Sequence, residues 1–206
     1  MYNLDSYIQE AKEIPVKLPL DDAEIFYYPN FISKKTADTY FQKLRKDTQW
    51  QQDVITVFGK THPQPRLTAL FGADRKTYTY SGITMYPTPF TKILLYIKES
   101  VVQVCNSNFN TVLLNLYRSG SDSNGWHSDD EKELGKNPVI ASVSFGVERF
   151  FQLKNKKDTS LTYKLTLHHG SLLLMKGKTQ HFWHHQIPKT KAPINERINL
   201  TFRNIV

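Results

Sequence analysis

At 206 residues the chain is long enough for one domain with a sizeable core, and its 39% hydrophobic and 13% aromatic content is that of a globular protein, not a disordered one. No apolar run reaches the length of a membrane span, the N-terminus lacks the basic and apolar regions of a secretory leader, and the single cysteine, Cys105, excludes an internal disulfide and suits a reducing compartment. A formal net charge of +8 favours a polyanionic partner, nucleic acid among them.

In chain order, residues 1–20 read as a polar arm and residues 21–206 as one domain. Residues 24–32 read as a short strand and turn. Ser33 is placed to cap a helix running to about Trp50, with Ala37, Tyr40, Phe41 and Leu44 on one stripe. Residues 51–87 show no long periodic pattern but mix aromatic and basic groups around Phe58, Lys60, Arg66, Tyr78 and Tyr80. A loop-rich insertion of this length points to function. Thr88-Pro89 predicts the start of a second helix, with Pro at its first position and an apolar face of Phe90, Ile93, Leu94, Ile97, Val101 and Val104. Cys105 falls in that helix and reads as a core residue. From residue 111 onward short strands are expected at 112–117, 139–145, 149–154, 162–167, 171–175, 182–185 and 197–203, separated by turn residues such as Ser119-Gly120 and His169-Gly170. Two helices followed by many strands predict a mainly β fold with flanking helices: a jelly-roll core over 111–206, N-terminal helices and a lid at 51–87.

The run 197–203 carries the clearest argument. Side chains on a strand alternate faces, so Arg197, Asn199, Thr201 and Arg203 look one way and Ile198, Leu200 and Phe202 the other. The apolar face can be buried and the polar face can line a pocket. Two arginines offer fixed, always-charged forks for two carboxylates. Six residues of strand span roughly 20 Å, which two long side chains leaning inward can close around a small dicarboxylate. Asn115 and Tyr117 share a face of their own strand in the same way. His127 and Asp129, two residues apart, supply two metal ligands. The third has to come from a histidine further along, and His168, His169, His181, His184 and His185 all qualify. Two His and one carboxylate leave open positions on an ion, the pattern of non-haem iron(II) oxygenases. Asp130 and Glu131 extend Asp129 into an acidic run suited to a cationic substrate.

Asn115-Leu-Tyr117, Gly125-Trp-His127-Ser-Asp129-Asp-Glu131, Ala141-Ser-Val-Ser-Phe-Gly146, His169-Gly-Ser-Leu-Leu173, Trp183-His-His185-Gln-Ile-Pro188 and Arg197-Ile-Asn-Leu-Thr-Phe-Arg203 together resemble the AlkB family of Fe(II)- and 2-oxoglutarate-dependent nucleic-acid dealkylases, over about residues 58–206. The resemblance implies a double-stranded β-helix core and the cofactors Fe(II), 2-oxoglutarate and O2. It implies His127, Asp129 and His185 as metal ligands, the last because it precedes Gln-Ile-Pro. It implies Arg197 and Arg203 on the carboxylates of 2-oxoglutarate, with Asn115, Tyr117 and Asn199 as hydrogen-bonding helpers. Tyr78 and Tyr80 are expected to line the base pocket, Arg66 to belong to the lid, and Asp130 and Glu131 to lie near the damaged base. Phe58 is expected to be an apolar finger that fills the gap left by a flipped base. Lys60, Arg66, Arg75, Lys76, Lys154, Lys156, Lys157 and Lys164 are expected to meet phosphates. The implied partner is alkylated DNA, single- or double-stranded, or RNA. The implied reaction is oxidative demethylation coupled to conversion of 2-oxoglutarate to succinate, with release of formaldehyde. A monomer is expected, cytoplasmic in a bacterium and nuclear in a eukaryote. Two stretches depart from the family pattern, 64–67 around the lid arginine and 147–151 after Ser-Phe-Gly.

Overall fold

The computed structural model describes the chain except residues 58–59, 75–77 and 81–82, and leaves aside the side chains over 56–60 and 75–83. The elements run β1 (Tyr2–Asn3), α1 (Asp5–Glu10), β2 (Val16–Lys17), β3 (Glu24–Tyr28), α2 (Lys34–Asp47), β4 (Val54–Val57), β5 (Lys60–Pro63), β6 (Leu67–Gly72), β7 (Tyr78–Tyr80), β8 (Ile83–Met85), β9 (Thr88–Pro89) and α3 (Lys92–Cys105). The second half continues with β10 (Thr111–Tyr117), β11 (Asn124–His127), β12 (Ile140–Gly146), β13 (Arg149–Asn155), β14 (Thr162–Leu167), β15 (Leu172–Lys176), α4 (Thr179–Phe182), β16 (Trp183–Ile187) and β17 (Arg197–Arg203). Eight strands form one sheet in the order β2-β3-β15-β12-β17-β10-β6-β9, and five form a second in the order β1-β14-β13-β16-β11. Two hairpins, β4-β5 and β7-β8, stand apart from both. This is the expected jelly roll with flanking helices.

Two cores explain the arrangement. One holds Ile25, Tyr27, Leu113, Leu173 and Met175 of the large sheet together with Phe151, Leu153, Leu165, Leu167, Trp183 and Ile187 of the small one, so it fills the space between them. The other packs Ala37 and Leu44 of α2 and Leu94, Ile97 and Val101 of α3 against Val112, Leu114, Leu116, Ala141, Val143, Phe145, Ile198, Leu200 and Phe202 of the large sheet. The alternation of β17 therefore has its predicted consequence: the apolar face lies under the helices and the polar face looks between the sheets. Ser33 caps α2 through its hydroxyl, which accepts from Thr36 N–H at 3.4 Å.

Several expectations need correction. Residues 1–20 are not a free polar arm: β1 pairs in parallel with β14, the Asp5 carboxylate accepts from Thr166 N–H and Oγ1, and Leu4, Val16, Leu18 and Leu20 are buried. Few apolar positions, spaced irregularly, hid an edge strand that takes its order from β14. Pro89 does not open the second helix. Thr91 does, accepting from Leu94 N–H, while Thr88–Pro89 is extended and pairs in parallel with Phe71–Gly72. The first helix ends at Asp47 instead of Trp50. Within 51–87, β6 is a core strand paired to β10 along its length. Both its faces are buried, so it shows no alternation to read.

Candidate active site

The site sits between the sheets on the polar face of β17. There Asn199 stands opposite Asn115 of β10 on one side and Ser144 of β12 on the other, and Arg197 stands opposite Tyr117. The cavity is lined by Arg197, Asn199, Thr201 and Arg203, by Asn115 and Tyr117, and by His127, Asp129 and His185. Every member of that set was picked from the sequence.

Of the candidate histidines, the fold brings His185 beside His127 and Asp129. Among the described residues, the His127, Asp129 and His185 ligand atoms form the one cluster of metal-binding type, all within 4.8 Å of one another. His184 alternates to the opposite face of β16. His168 pairs with Glu148, His169 Nδ1 accepts from Gly146 N–H, and His181 is bonded to Asn137. The donor set fits a ferrous ion. His127 Nδ1 donates to Gly125 O at 2.8 Å, so the neutral ring carries its lone pair on Nε2. Burial, and then the neighbouring His127, pushes His185 down to about 3, which leaves its ring unprotonated and able to bind a metal at neutral pH. Burial by itself would raise Asp129, but Arg203 and the two histidines hold it at about 2. Arg203 Nη2 donates to Asp129 Oδ1 at 2.6 Å, and Oδ2 lies 3.5 Å from His185 Nε2. The ring of Phe151 stacks on His185, centroids 5.2 Å apart, and limits its rotation.

A pH dependence follows for the metal-free protein. His185 has a folded pKa below its ordinary value, so the unfolded chain takes up the proton first. Its contribution to stability is complete above about pH 6.5 and is lost as pH falls toward 3. Melting temperature is expected to drop between pH 7 and 5, and to drop less in His185→Asn. Identical slopes in the two proteins would contradict this.

The remaining cavity residues divide their work. Arg197 is 1% exposed; its Nη2 donates to Ser144 Oγ, while Nε and Nη1 have no partner among the described residues. Two buried, unpartnered guanidinium N–H groups are suited to an incoming carboxylate. Asn199 spends its amide internally, donating to Ser142 Oγ and Val143 O and accepting from Thr201 Oγ1. Arg66, expected in the lid and among the phosphate contacts, is 3% exposed and donates Nε to Asn115 Oδ1 at 2.7 Å. Buried there, it lines the cavity and sets the Asn115 amide with its N–H groups turned away from Arg66.

Asp130 and Glu131 do not line the cavity, and the Asp130 carboxylate accepts from Lys156 at 3.1 Å. Phe58, Arg75 and Lys76 lie outside the described residues, as do the side chains of Lys60, Tyr78 and Tyr80, whose backbones belong to the two hairpins. Sequence reasoning missed Gln180, which is 1% exposed and accepts from Asp129 N–H at 2.9 Å. Nothing local marks it, because its partner is 51 residues away.

Comparison with known proteins agrees with this geometry. The family model described as the 2OG-Fe(II) oxygenase superfamily matches residues 24–203. The chain is 41% identical over 196 residues to the alpha-ketoglutarate-dependent dioxygenase alkB homolog 3 of Bos taurus, covering 91% of this chain and 68% of that protein. It is 39% identical over 189 residues to the DNA oxidative demethylase ALKBH2 of Homo sapiens, covering 87% of this chain and 72% of that one. The solved structure of OsALKBH1 superposes with a TM-score of 0.64 at 17% identity, over 87% of this chain and 97% of that one, a likeness of fold. No helix among the described residues is long and apolar enough to cross a membrane. With a family model spanning the barrel from β3 to the end of β17, and relatives this similar matched over two thirds of their length, the chain belongs to the AlkB family of the 2OG-Fe(II) oxygenase superfamily, dioxygenases that use Fe(II), 2-oxoglutarate and O2.

Proposed function

We propose that the chain oxidatively demethylates bases of the N1-methyladenine and N3-methylcytosine type in DNA or RNA, as a direct-reversal repair enzyme. The reaction turns 2-oxoglutarate and O2 into succinate and carbon dioxide and releases the methyl carbon as formaldehyde. The observation that carries this reading is the joining, in one buried cavity, of the His127, Asp129 and His185 cluster to the Arg197–Arg203 face. Identity to a DNA oxidative demethylase points the same chemistry at nucleic acid. Bound Fe(II) supplies the activation of O2 for oxidation of a C–H bond, with 2-oxoglutarate as the co-reductant.

In this reading His127, Asp129 and His185 hold the metal. Arg197 and Arg203 take the two carboxylates of 2-oxoglutarate, helped by Asn115 and Tyr117, and Asn199 keeps Ser142 and Thr201 in place. The methyl group lies on the pairing edge, so the base has to leave the stack, and methylation lowers that cost by weakening the pair. Tyr78 and Tyr80 are assigned to the base pocket. Asp130 and Glu131, outside the cavity, act on a cationic methylated base at longer range, and Lys154, Lys157 and Lys164 meet phosphates, while Lys156 is held by Asp130 and Gln180 O. Residues 51–87 act as the nucleotide-recognition lid over a 111–206 catalytic core. The protein acts as a monomer where the nucleic acid is, in bacterial cytoplasm or a eukaryotic nucleus. The deciding experiment is a mass-spectrometric screen of singly methylated single-stranded, double-stranded and RNA oligomers with iron, ascorbate and 2-oxoglutarate. Demethylation of none of them would defeat the reading.

Two further outcomes follow. Gln180→Ala is expected to weaken Mn(II) binding about tenfold, because the backbone that carries Asp129 loses its anchor. Unchanged affinity by titration would show that the hydrogen bond is dispensable. Phe58→Ala is expected to lower repair of duplex several-fold more than repair of single strands, since only a duplex has a gap to fill. Equal losses, together with a lower melting temperature, would make Phe58 a packing residue.

A further inference from the structure

Arg149 opens β13 and is 4% exposed. Its guanidinium donates only to main-chain oxygens: Nη1 to Ser119 O at 3.3 Å, and Nη2 to Asp122 O at 3.0 Å and Pro188 O at 2.6 Å. Among the described residues no carboxylate lies within ion-pair distance of it. The nearby Asp122 carboxylate is hydrogen-bonded to Arg118, at 2.8 Å to Nε and 3.0 Å to Nη2, and acts on Arg149 only through space, offsetting part of its burial. The ring of Tyr117 is shared by two cations, with Arg149 Cζ at 5.6 Å and Arg197 Cζ at 5.2 Å from its centroid.

A neutral amide could donate to the same carbonyls. Keeping a desolvated guanidinium there is unfavourable by itself, and a second buried guanidinium beside the same ring adds repulsion. Burial lowers the basicity of both arginines, and Arg149 pushes Arg197 further down. The opposite end of the strand differs, since Arg203 has Asp129 as its counter-ion. Excess positive charge is therefore concentrated at the Tyr117 end of the cavity, six residues and roughly 20 Å of strand from Arg203. An anion lodged at that end relieves the repulsion.

We propose that Arg149 is a positioning residue for the far carboxylate of the oxoacid cosubstrate: it holds the Tyr117 ring and the loops flanking it, and its charge joins that of Arg197 in selecting a dianionic oxoacid over a monoanionic one. The loops it ties together are in close contact. Thr190 N–H donates to Gly120 O at 2.8 Å, and a Cβ on Gly120 would lie 2.5 Å from Thr190 O. Arg149 is thus placed to transmit loop order to the ring as well as charge to the cavity. The inference rests on the cosubstrate reading given under Proposed function.

The test is calorimetric titration of the Mn(II)-loaded full chain with 2-oxoglutarate and with 2-oxopentanoate, which has the same carbon skeleton without the far carboxylate. Arg149→Gln is expected to weaken 2-oxoglutarate binding about tenfold and 2-oxopentanoate binding by no more than about twofold. Arg149→Lys keeps the charge and is expected to recover most of the loss, with Mn(II) affinity unchanged in both variants. Equal losses for the two oxoacids, no recovery in Arg149→Lys, or wild-type affinity for 2-oxoglutarate in Arg149→Gln would overturn the proposal. Arg197→Gln separates the two levels: if it too binds 2-oxoglutarate like the wild type, the cosubstrate reading itself falls.

Discussion

His127→Ala, Asp129→Ala and His185→Ala are each expected to abolish turnover, by well over about a hundredfold, while the barrel stays folded. In the proposed site each of the three side chains supplies one ligand and together they leave positions open on the ion, so losing any one weakens it. The fold tolerates the two histidine changes because these side chains line a cavity and do not fill a core, whereas Asp129→Ala also leaves the buried Arg203 without its counter-ion and lowers the melting temperature of the metal-free protein. His184→Ala is the control, as its ring lies on the other face of β16, next to Lys154 and Lys156, whose charges lower its basicity after burial. Full activity in His185→Ala, with loss in His184→Ala, would overturn the assignment. Metal titration on the same variants distinguishes lost binding from lost chemistry.

Arg197→Ala and Arg203→Ala are expected to weaken 2-oxoglutarate binding about ten- to a hundredfold, since each removes charge-assisted hydrogen bonds in a buried site. The structure separates the two variants. Arg197 is bonded to Ser144 and packs over Tyr117, so its loss leaves the metal cluster intact. Arg203 donates to Asp129, and both are almost fully buried. Removing it strands a carboxylate, which in a metal-free protein is destabilising by about 3–5 kcal/mol. Arg197→Ala should therefore raise the KM for 2-oxoglutarate with unchanged metal affinity, and Arg203→Ala should disturb both and lower the melting temperature of the metal-free protein. Wild-type KM in both variants would mean that the β17 face serves another ligand.

The site was legible in the sequence wherever one short segment sufficed. Period-two alternation placed Arg197, Asn199, Thr201 and Arg203 on one face and Ile198, Leu200 and Phe202 on the other, and the sheets bury those faces as alternation requires. The spacing of His127 and Asp129, the Ser33 cap and most strands from residue 111 onward are equally local. Pairing across the chain was not legible. Which histidine completes the cluster depends on β16 lying beside β11, with His127 opposite His185. Arg66 reads as a lid cation until β6 pairs with β10 and buries it against Asn115. Residues 1–20 look free until β14 offers an edge. Gln180 and Arg149 have no local signature, because their acceptors and donors lie 27 to 51 residues away. Local sequence sets which way a side chain points on its own strand. Only the tertiary fold sets what it meets there, because the partners of a buried polar group come from whichever strands the packing brings alongside.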